Sequence, residues 1–150
     1  QLNLAIVLDA AEKLKALGFE CKEFTFVDTN DVTAVTQQAA AECDAIFAPT
    51  DNTVASNGPA INNVLEPAKI PLIAGEQGIC EKCGIATLSI SYYDIGYKAG
   101  EMAYEILVNG ADPAKIAIEY SKDLTKKYMA DRCRELGITV PDGYVAITNN

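Results

Sequence analysis

Hydroxyl, carboxylate, amide and phenol side chains are concentrated at three places in the sequence, each directly after an apolar run. The candidate ligand-binding residues at these places are Thr50, Asp51, Asn52, Glu76, Tyr92 and Asp94. Carboxylates attract an ammonium group, hydroxyl and amide donors hold a carboxylate, and a phenol ring has an apolar face with a polar tip. Together these groups suit the recognition of a small zwitterion, with the ring of Tyr92 or Tyr93 as its apolar contact.

Each polar candidate has a predicted role and a competing structural one. Asp51 and Glu76 supply negative charge for the ammonium group, whereas Thr50, Asn52 and the backbone N–H groups of the next helix hold the carboxylate. As structural alternatives, Asp51 or Asn52 caps that helix, and Asp94 is an acid in a first helical turn. The repeated placement of polar groups at three strand ends favours binding.

Catalysis has weaker support in the sequence. The chain has no histidine, the usual general base and commonest metal ligand. It contains no glycine-rich phosphate loop, and Asp51 with Glu76 has no tryptophan platform of the kind that accompanies sugar hydrolysis. The sequence therefore predicts no catalytic residue, no cofactor and no metal site, and a protein that is not an enzyme.

The chain has five cysteines, so at least one thiol has no partner within it. Cys80 and Cys83 form a C-x-x-C pair that is predicted to lie in a glycine-bounded loop, away from the helix start of redox motifs. One such pair supplies only two of four zinc ligands. A local disulfide and two idle thiols both remain open, and the other three cysteines are interpreted as core residues.

Composition limits the class of protein and its partners. The chain has 150 residues, of which 49% are hydrophobic and 22% are charged, as in a soluble globular domain with a core. Its net charge of −9 argues against binding to nucleic acid. The basic doublet Lys126–Lys127 is interpreted as part of a solvated helix face.

No initiator methionine or leader stands at Gln1, so a processed chain and a piece of a longer chain are both open.

Helical and strand patterns alternate along the chain with short links. The predicted strands cover residues 19–27, 44–48, 70–74, 85–90, 116–120 and 144–147. Helices are predicted over residues 4–17, from a cap at 30 through 39, after the polar segment 47–54 as far as about 67 with a break at 57–59, over 92–107, and from 124 to a cap at 137. Short apolar strands between helices predict an α/β fold, an open parallel sheet with helices on both faces. Ligands bind at the carboxyl ends of the strands in such sheets.

The segments PTDNTVAS, IPLIAGEQG, IATLSISYYDIGYKAGEMAYEIL and NGADPAKIAIEY together resemble one family. It is the tryptophan/tyrosine-binding kind of ABC-transporter substrate-binding protein, which has a type I periplasmic-binding-protein fold. The resemblance covers about residues 30–140. It matches Thr50, Asp51 and Asn52 to the family's P-T-D-N loop, Glu76 to its G-E, and Tyr92 and Asp94 to its Y-x-x-G turn. Departures from the family pattern are Gly58–Pro59 and the thiols of the C-x-x-C pair.

The resemblance implies two α/β lobes, joined by three crossover segments, that close on a ligand. This chain would be the C-terminal half, with residues 1–84 as the core of the second lobe. Residues 85–110 would be a crossover strand and helix of the first lobe, residues 111–150 would return to the second lobe, and the first lobe would precede residue 1. The unpartnered crossover helix would repack, stay exposed or pair with a second copy of the chain.

The resemblance also implies a function as the solute-binding component of an ABC importer. The expected partners are an amino acid, aromatic by resemblance, and the membrane permease, and the expected location is extracellular, as a cell-surface lipoprotein, or periplasmic. Two alternatives share parts of the pattern. They are the ligand-sensing domain of a transcription regulator and a flavodoxin-like or response-regulator-like enzyme domain.

Overall fold

The computed structural model describes residues 2–121 and 124–148 of the chain. The helices are α1 (Leu2–Ala16), α2 (Val32–Glu42), α3 (Asn52–Ala68), α4 (Gln77–Cys83), α5 (Tyr92–Leu107) and α6 (Ala130–Glu135), with a 3₁₀ turn at Pro113–Lys115. The strands are β1 (Ile46–Ala48), β2 (Leu72–Ala74), β3 (Ala86–Ile90), β4 (Leu124–Tyr128) and β5 (Val145–Ala146).

The five strands form one sheet in the order β1-β2-β3-β4-β5. Pairing is parallel from β1 to β3 and between β4 and β5, whereas β3 and β4 are antiparallel. The predicted α/β class is confirmed, and the sheet, predicted to be parallel, is mostly so: β4 and β5 run antiparallel to β1, β2 and β3. The carboxyl ends of β1, β2 and β3 consequently lie along one edge, and the three polar clusters follow them.

Helices α2, α3 and α4 supply the core on one face of the sheet. Leu72 and Ala74 of β2 are buried with Leu65 of α3 and Ile79 of α4. Side chains alternate between the faces of a strand, so the intervening residues point the other way. Ile73 of β2 is 39% exposed, and Phe47 and Leu88 are exposed beside it. In the described residues, this second face is largely uncovered.

Four predicted segments differ from the structure, and neighbouring elements explain two of the differences. Residues 19–27 and 116–120 have the composition of strands, but neither pairs with a strand in the described part of the chain. Residues 124–128 form β4 instead of a helix because they pair with β3. Residues 77–83 form α4 instead of a loop, since the Glu76 side chain caps the helix and Ile79 is fully buried.

Helix α3 continues through Gly58–Pro59, where a break was predicted. Proline has no N–H to donate, so the carbonyl of Ala55, four residues earlier, loses its helical partner. The Lys82 ammonium of α4 donates to that carbonyl at 2.6 Å. Gly58 permits the crossing, because a Cβ atom there would lie 2.5 Å from the Cβ of Lys82. The pair therefore marks the contact between α3 and α4.

Helix α5 has the predicted bounds but contains no buried residue. Its apolar side chains, including those of Ile95, Tyr97 and Leu107, are exposed. The preceding strand β3 is hydrogen-bonded to β2 and so belongs to the sheet described here. The division of the chain between two lobes stays a prediction.

No helix in the described residues has both the length and the apolarity needed to cross a bilayer.

Candidate functional site

The first two polar clusters meet where β1 and β2 end. The Thr50 hydroxyl donates to the carbonyl of Gly75 over 3.2 Å. Gly75 has no room for a side chain, because a Cβ atom would lie 2.5 Å from the backbone nitrogen of Thr50 and 2.8 Å from the carbonyl carbon of Pro49. Close backbone contact therefore places the Thr50–Asn52 cluster beside Glu76.

Two of the three predicted carboxylates cap helices. Oδ1 of Asp51 accepts from the backbone N–H groups of Thr53 and Val54 at 2.8 and 3.0 Å, at the start of α3. The carboxylate oxygens of Glu76 accept from Gly78 and Ile79 at the start of α4. The capping role weighed for Asp51 is present, and the cap at Glu76 went unpredicted because that segment reads as a loop. Their role as counter-ions for a ligand stays a prediction.

An open cleft of about 390 Å³ lies at the carboxyl ends of β2 and β3. Its polar lining includes Glu76, Gln77, Glu81, Ser89, Tyr92 and Lys127. Two predicted site residues, Glu76 and Tyr92, are thus brought together. Asp51, Asn52 and Asp94 do not line this cleft. The backbone N–H of Asp94 donates to the Ser91 hydroxyl at 3.1 Å, and this bond caps α5. Asp94 therefore lies in the first turn of α5, which is the structural alternative to ligand binding given for it above.

Lys127 is the cation among the lining residues that were not predicted as site residues, the others including Gln77, Glu81, Ser89 and Ser91. Its ammonium donates to Oε1 of Gln77 at 2.5 Å, and Nε2 of the same amide donates to Glu81 at 2.7 Å. The interpretation of Lys126–Lys127 as a solvated helix face is wrong, because both residues are in β4 and point to opposite faces of the sheet. Recognition of residues 124–128 as a strand beside β3 would have separated the two lysines.

The floor of the cleft is formed by β3 and carries hydroxyl groups. Ser89 is almost fully buried and lines the cleft, and its hydroxyl donates to the carbonyl of Ile90 at 3.1 Å. Thr87, on the same face of the strand, is equally buried, and its hydroxyl has no hydrogen-bond partner among the described residues. A buried hydroxyl without a partner costs free energy unless another molecule satisfies it.

The end of α4 that lies away from Glu76 is held by Arg132 of α6. The guanidinium donates to the carbonyls of Cys80, Glu81, Lys82 and Gly84 at 2.7 to 3.1 Å, and also to Asn62 of α3. The last carbonyls of a helix have no partner within the helix. Arg132 therefore caps α4 and fixes the helix that carries Gln77 and Glu81 to the cleft.

Three thiols, those of Cys80, Cys83 and Cys133, are buried and placed for packing, whereas Cys21 and Cys43, which the sequence analysis interpreted as core residues, are partly exposed. Cys80 and Cys83 are buried and free, and burial raises the pKa of Cys80 to about 12 and that of Cys83 to about 11. The pKa of Cys133 is also raised by burial. Of the alternatives left open, the structure shows idle thiols and no disulfide at Cys80 and Cys83.

Across residues 2–121 and 124–148, no three histidine, cysteine or acidic side chains group as a metal site would require.

Comparison with known protein families shows to which family the chain belongs. The family model described as "ABC transporter substrate binding protein" matches residues 5–149. The chain belongs to this family. As a member of the ABC transporter substrate-binding proteins, it has the cleft where open α/β sheets bind ligands.

Individual members of the family resemble the chain over most of its length. A tyrosine-binding protein from Clostridioides difficile (strain R20291) is 32% identical over 108 residues, which is 71% of this chain and 31% of that protein. A pneumococcal ABC domain solved in complex with L-Trp has 25% identity and a TM-score of 0.86, over 97% of this chain and 52% of that one.

A third relative was solved without ligand. It is an open substrate-binding protein with adhesive properties from Clostridium difficile, with 30% identity and a TM-score of 0.73, over 100% of this chain and 52% of that one. The chain thus spans about half the length of the substrate-binding proteins of known structure that it matches.

Proposed function

We propose that this chain forms one lobe of the solute-binding component of an ABC importer. The solute is a small zwitterion, an aromatic amino acid, that the protein captures and does not transform. The observation that carries this proposal is the open cleft at the carboxyl ends of β2 and β3, where Glu76, Lys127 and the Tyr92 ring converge. Carboxylate, ammonium and phenol groups together match the two charges and the side chain of an amino acid.

The relatives support both the solute class and the capture mode. One is named as a tyrosine-binding protein and another was solved with L-Trp. Because the chain spans about half of its solved relatives, we propose that a second lobe closes over the cleft by a hinge motion. Helix α5, which is part of the predicted crossover segment 85–110, would then pack in that lobe, whereas β3 stays in the sheet of this chain. Asp51, Asn52 and Asp94 would join the site only on closure.

The same proposal defines the partners and the location. A solute captured for import must be handed to a membrane permease, so the permease is the proposed protein partner. Capture takes place outside the cytoplasmic membrane, in an extracellular or periplasmic location, and we propose a lipid anchor for the extracellular case. The net charge of −9 accords with the absence of nucleic acid from the proposed partners.

A thermal-shift panel of the twenty amino acids tests the proposal. The panel is run on a full-length polypeptide, which contains this chain together with the half of the family's length that this chain does not span. A ligand present at 100 times its Kd stabilises the folded state by roughly 2.7 kcal/mol. We expect tyrosine or tryptophan to raise the melting temperature and to be recovered unchanged. A panel without any shift removes the amino-acid proposal, and measured turnover of the ligand removes the binding-only proposal.

An Asp51→Asn variant separates capping from charge. Asparagine caps a helix about as well as aspartate, so the free energy of unfolding should change by less than about 0.5 kcal/mol. Loss of the charge should weaken amino-acid binding about tenfold if Asp51 faces the ammonium group. Binding equal to that of the unsubstituted protein would show that the charge of Asp51 does not contribute to amino-acid binding.

A further inference from the structure

We propose that Lys127 anchors the ligand's carboxylate and makes the cleft selective for solutes that carry a free carboxylate group. This inference rests on the proposed function and deepens it by assigning one residue to one charge of the ligand. It differs from the sequence-based expectation, which gave the carboxylate to Thr50, Asn52 and the start of α3. Of those groups, Thr50 lies beside Glu76, and none lines the cleft.

The charges around the cleft point to Lys127. Among the described residues that line the cleft, Lys127 is the only cation, and Glu76 and Glu81 are anions. The chain as a whole has a net charge of −9 and therefore repels an anionic group. A ligand carboxylate that enters this cleft needs a cation close by, and the Lys127 ammonium meets that need.

Neighbouring groups hold the Lys127 ammonium in place without using all of its hydrogen-bond donors. The Gln77 amide donates to Glu81 at 2.7 Å, and this bond turns its carbonyl oxygen toward Lys127, which donates to it at 2.5 Å. An ammonium group has three N–H donors, and Gln77 accepts one of them. The remaining donors are available to a carboxylate. Because both Gln77 and Glu81 are in α4, this helix sets the position of the charge.

The other cleft groups complete an amino-acid site around this charge. Ser89 and Ser91 place hydroxyl groups along β3 and its end, and the Tyr92 ring is 58% exposed at the rim. Thr87, the register partner of Lys127, is buried and does not line the cleft, so the polar lining beside the ammonium comes from Gln77, Ser89 and Ser91. A polar lining is what a carboxylate or its bound water requires.

The test compares L-tyrosine and L-tryptophan with their amides, which keep the ammonium group and lose the negative charge. Affinities are measured by calorimetry on the polypeptide with both halves, unsubstituted and as Lys127→Met. Lys126→Met is the matched control, since it removes the same charge from the next residue, on the opposite face of the sheet. Lys127→Arg keeps a cation at the site.

The unsubstituted protein and the Lys126→Met and Lys127→Arg variants should prefer each acid over its amide by about tenfold or more, as a charge-assisted hydrogen bond predicts. Lys127→Met should lose that preference and keep its affinity for the amide. An undiminished preference in Lys127→Met overturns the assignment while leaving the proposed function intact. Should Lys127→Met not fold, Lys127→Gln is measured in the same way, with the same two outcomes. Failure of the unsubstituted protein to bind either acid overturns both proposals.

Discussion

A carboxylate at the end of a buried strand can serve the fold and a ligand at once. Asp51 and Glu76 accept hydrogen bonds from helix starts and still bring negative charge to the edge of the sheet. Residue type and position predict both carboxylates, because the ends of parallel strands are recognisable in the sequence. They do not predict Lys127, which reaches the cleft only through the pairing of β4 with β3, about forty residues away along the chain.

The buried thiols give a prediction at the scale of single residues. At pH 8, a thiol reagent should label Cys21 and Cys43 quickly, because both are partly exposed. Cys80, Cys83 and Cys133 should react only on unfolding, since burial excludes the reagent and the raised pKa values keep these thiols protonated. Mass spectrometry of the labelled peptides, with and without denaturant, measures both groups.

Denaturant supplies the control for this experiment, because all five thiols should then react at similar rates. Rapid labelling of Cys80 or Cys83 in the native protein would show that α4 opens readily. Such opening would also contradict the fixed position of Gln77 that the carboxylate assignment of Lys127 requires.

At the scale of elements, the sequence predicts those whose signals are local. Helix α5 has the predicted bounds because Ser91 caps its start and its apolar residues repeat with helical spacing. Strands β1 to β3 follow from short apolar runs. Residues 124–128 and 77–83 could not be assigned in this way. Residues 124–128 are a strand because they pair with β3, and residues 77–83 are a helix that packs into the core. The periodicity of a short segment does not reveal such contacts with distant residues.

The unbroken α3 illustrates how a tertiary contact overrides a local signal. Gly58–Pro59 reads as a break because proline leaves the Ala55 carbonyl without its helical partner. Lys82 of α4 supplies the missing donor, and the absence of a side chain at Gly58 lets it approach. The departure from the family pattern at Gly58–Pro59 is thus explained by the packing of α3 against α4.

The Arg132 cap of α4 gives a prediction at this scale. Replacing Arg132 by methionine removes the side-chain donor from four carbonyls at the end of α4, of which that of Cys80 still accepts from the backbone N–H of Gly84. Hydrogen bonds to charged groups contribute about 1.5–3 kcal/mol, so we expect the free energy of unfolding to fall by about 2–3 kcal/mol in urea titrations.

Arg134→Met is the matched control for Arg132, since it removes the same side chain from the same helix. Arg134 forms an exposed ion pair with Asp131 at 3.0 Å, and such pairs contribute less than about 1 kcal/mol. Equal destabilisation by the two substitutions would show that Arg132 acts through general charge and not through the end of α4.

At the scale of the whole molecule, several apolar surfaces are left uncovered in the described residues, including that of α1 with Leu4 and Leu8. Two of them concern the second lobe: the second face of the sheet, with Phe47, Ile73 and Leu88, and the apolar face of α5. Exposed contiguous apolar surface marks a site of association in soluble proteins. Both surfaces are explained if the half of the family's chains that this one does not span packs against them, as the two-lobe proposal requires.

Hydrogen exchange tests this explanation by comparing the 150-residue chain with the polypeptide that carries both halves. In the shorter chain, the α5 amides should exchange rapidly because no residue of α5 is buried. In the longer polypeptide, they should be protected at least about tenfold. Helix α3 is the internal control, since Val54, Ile61 and Leu65 bury it within this chain, and it should exchange alike in both. Equal exchange of α5 in the two proteins would contradict the packing of this helix in a second lobe and, with it, the closure of the cleft around its solute.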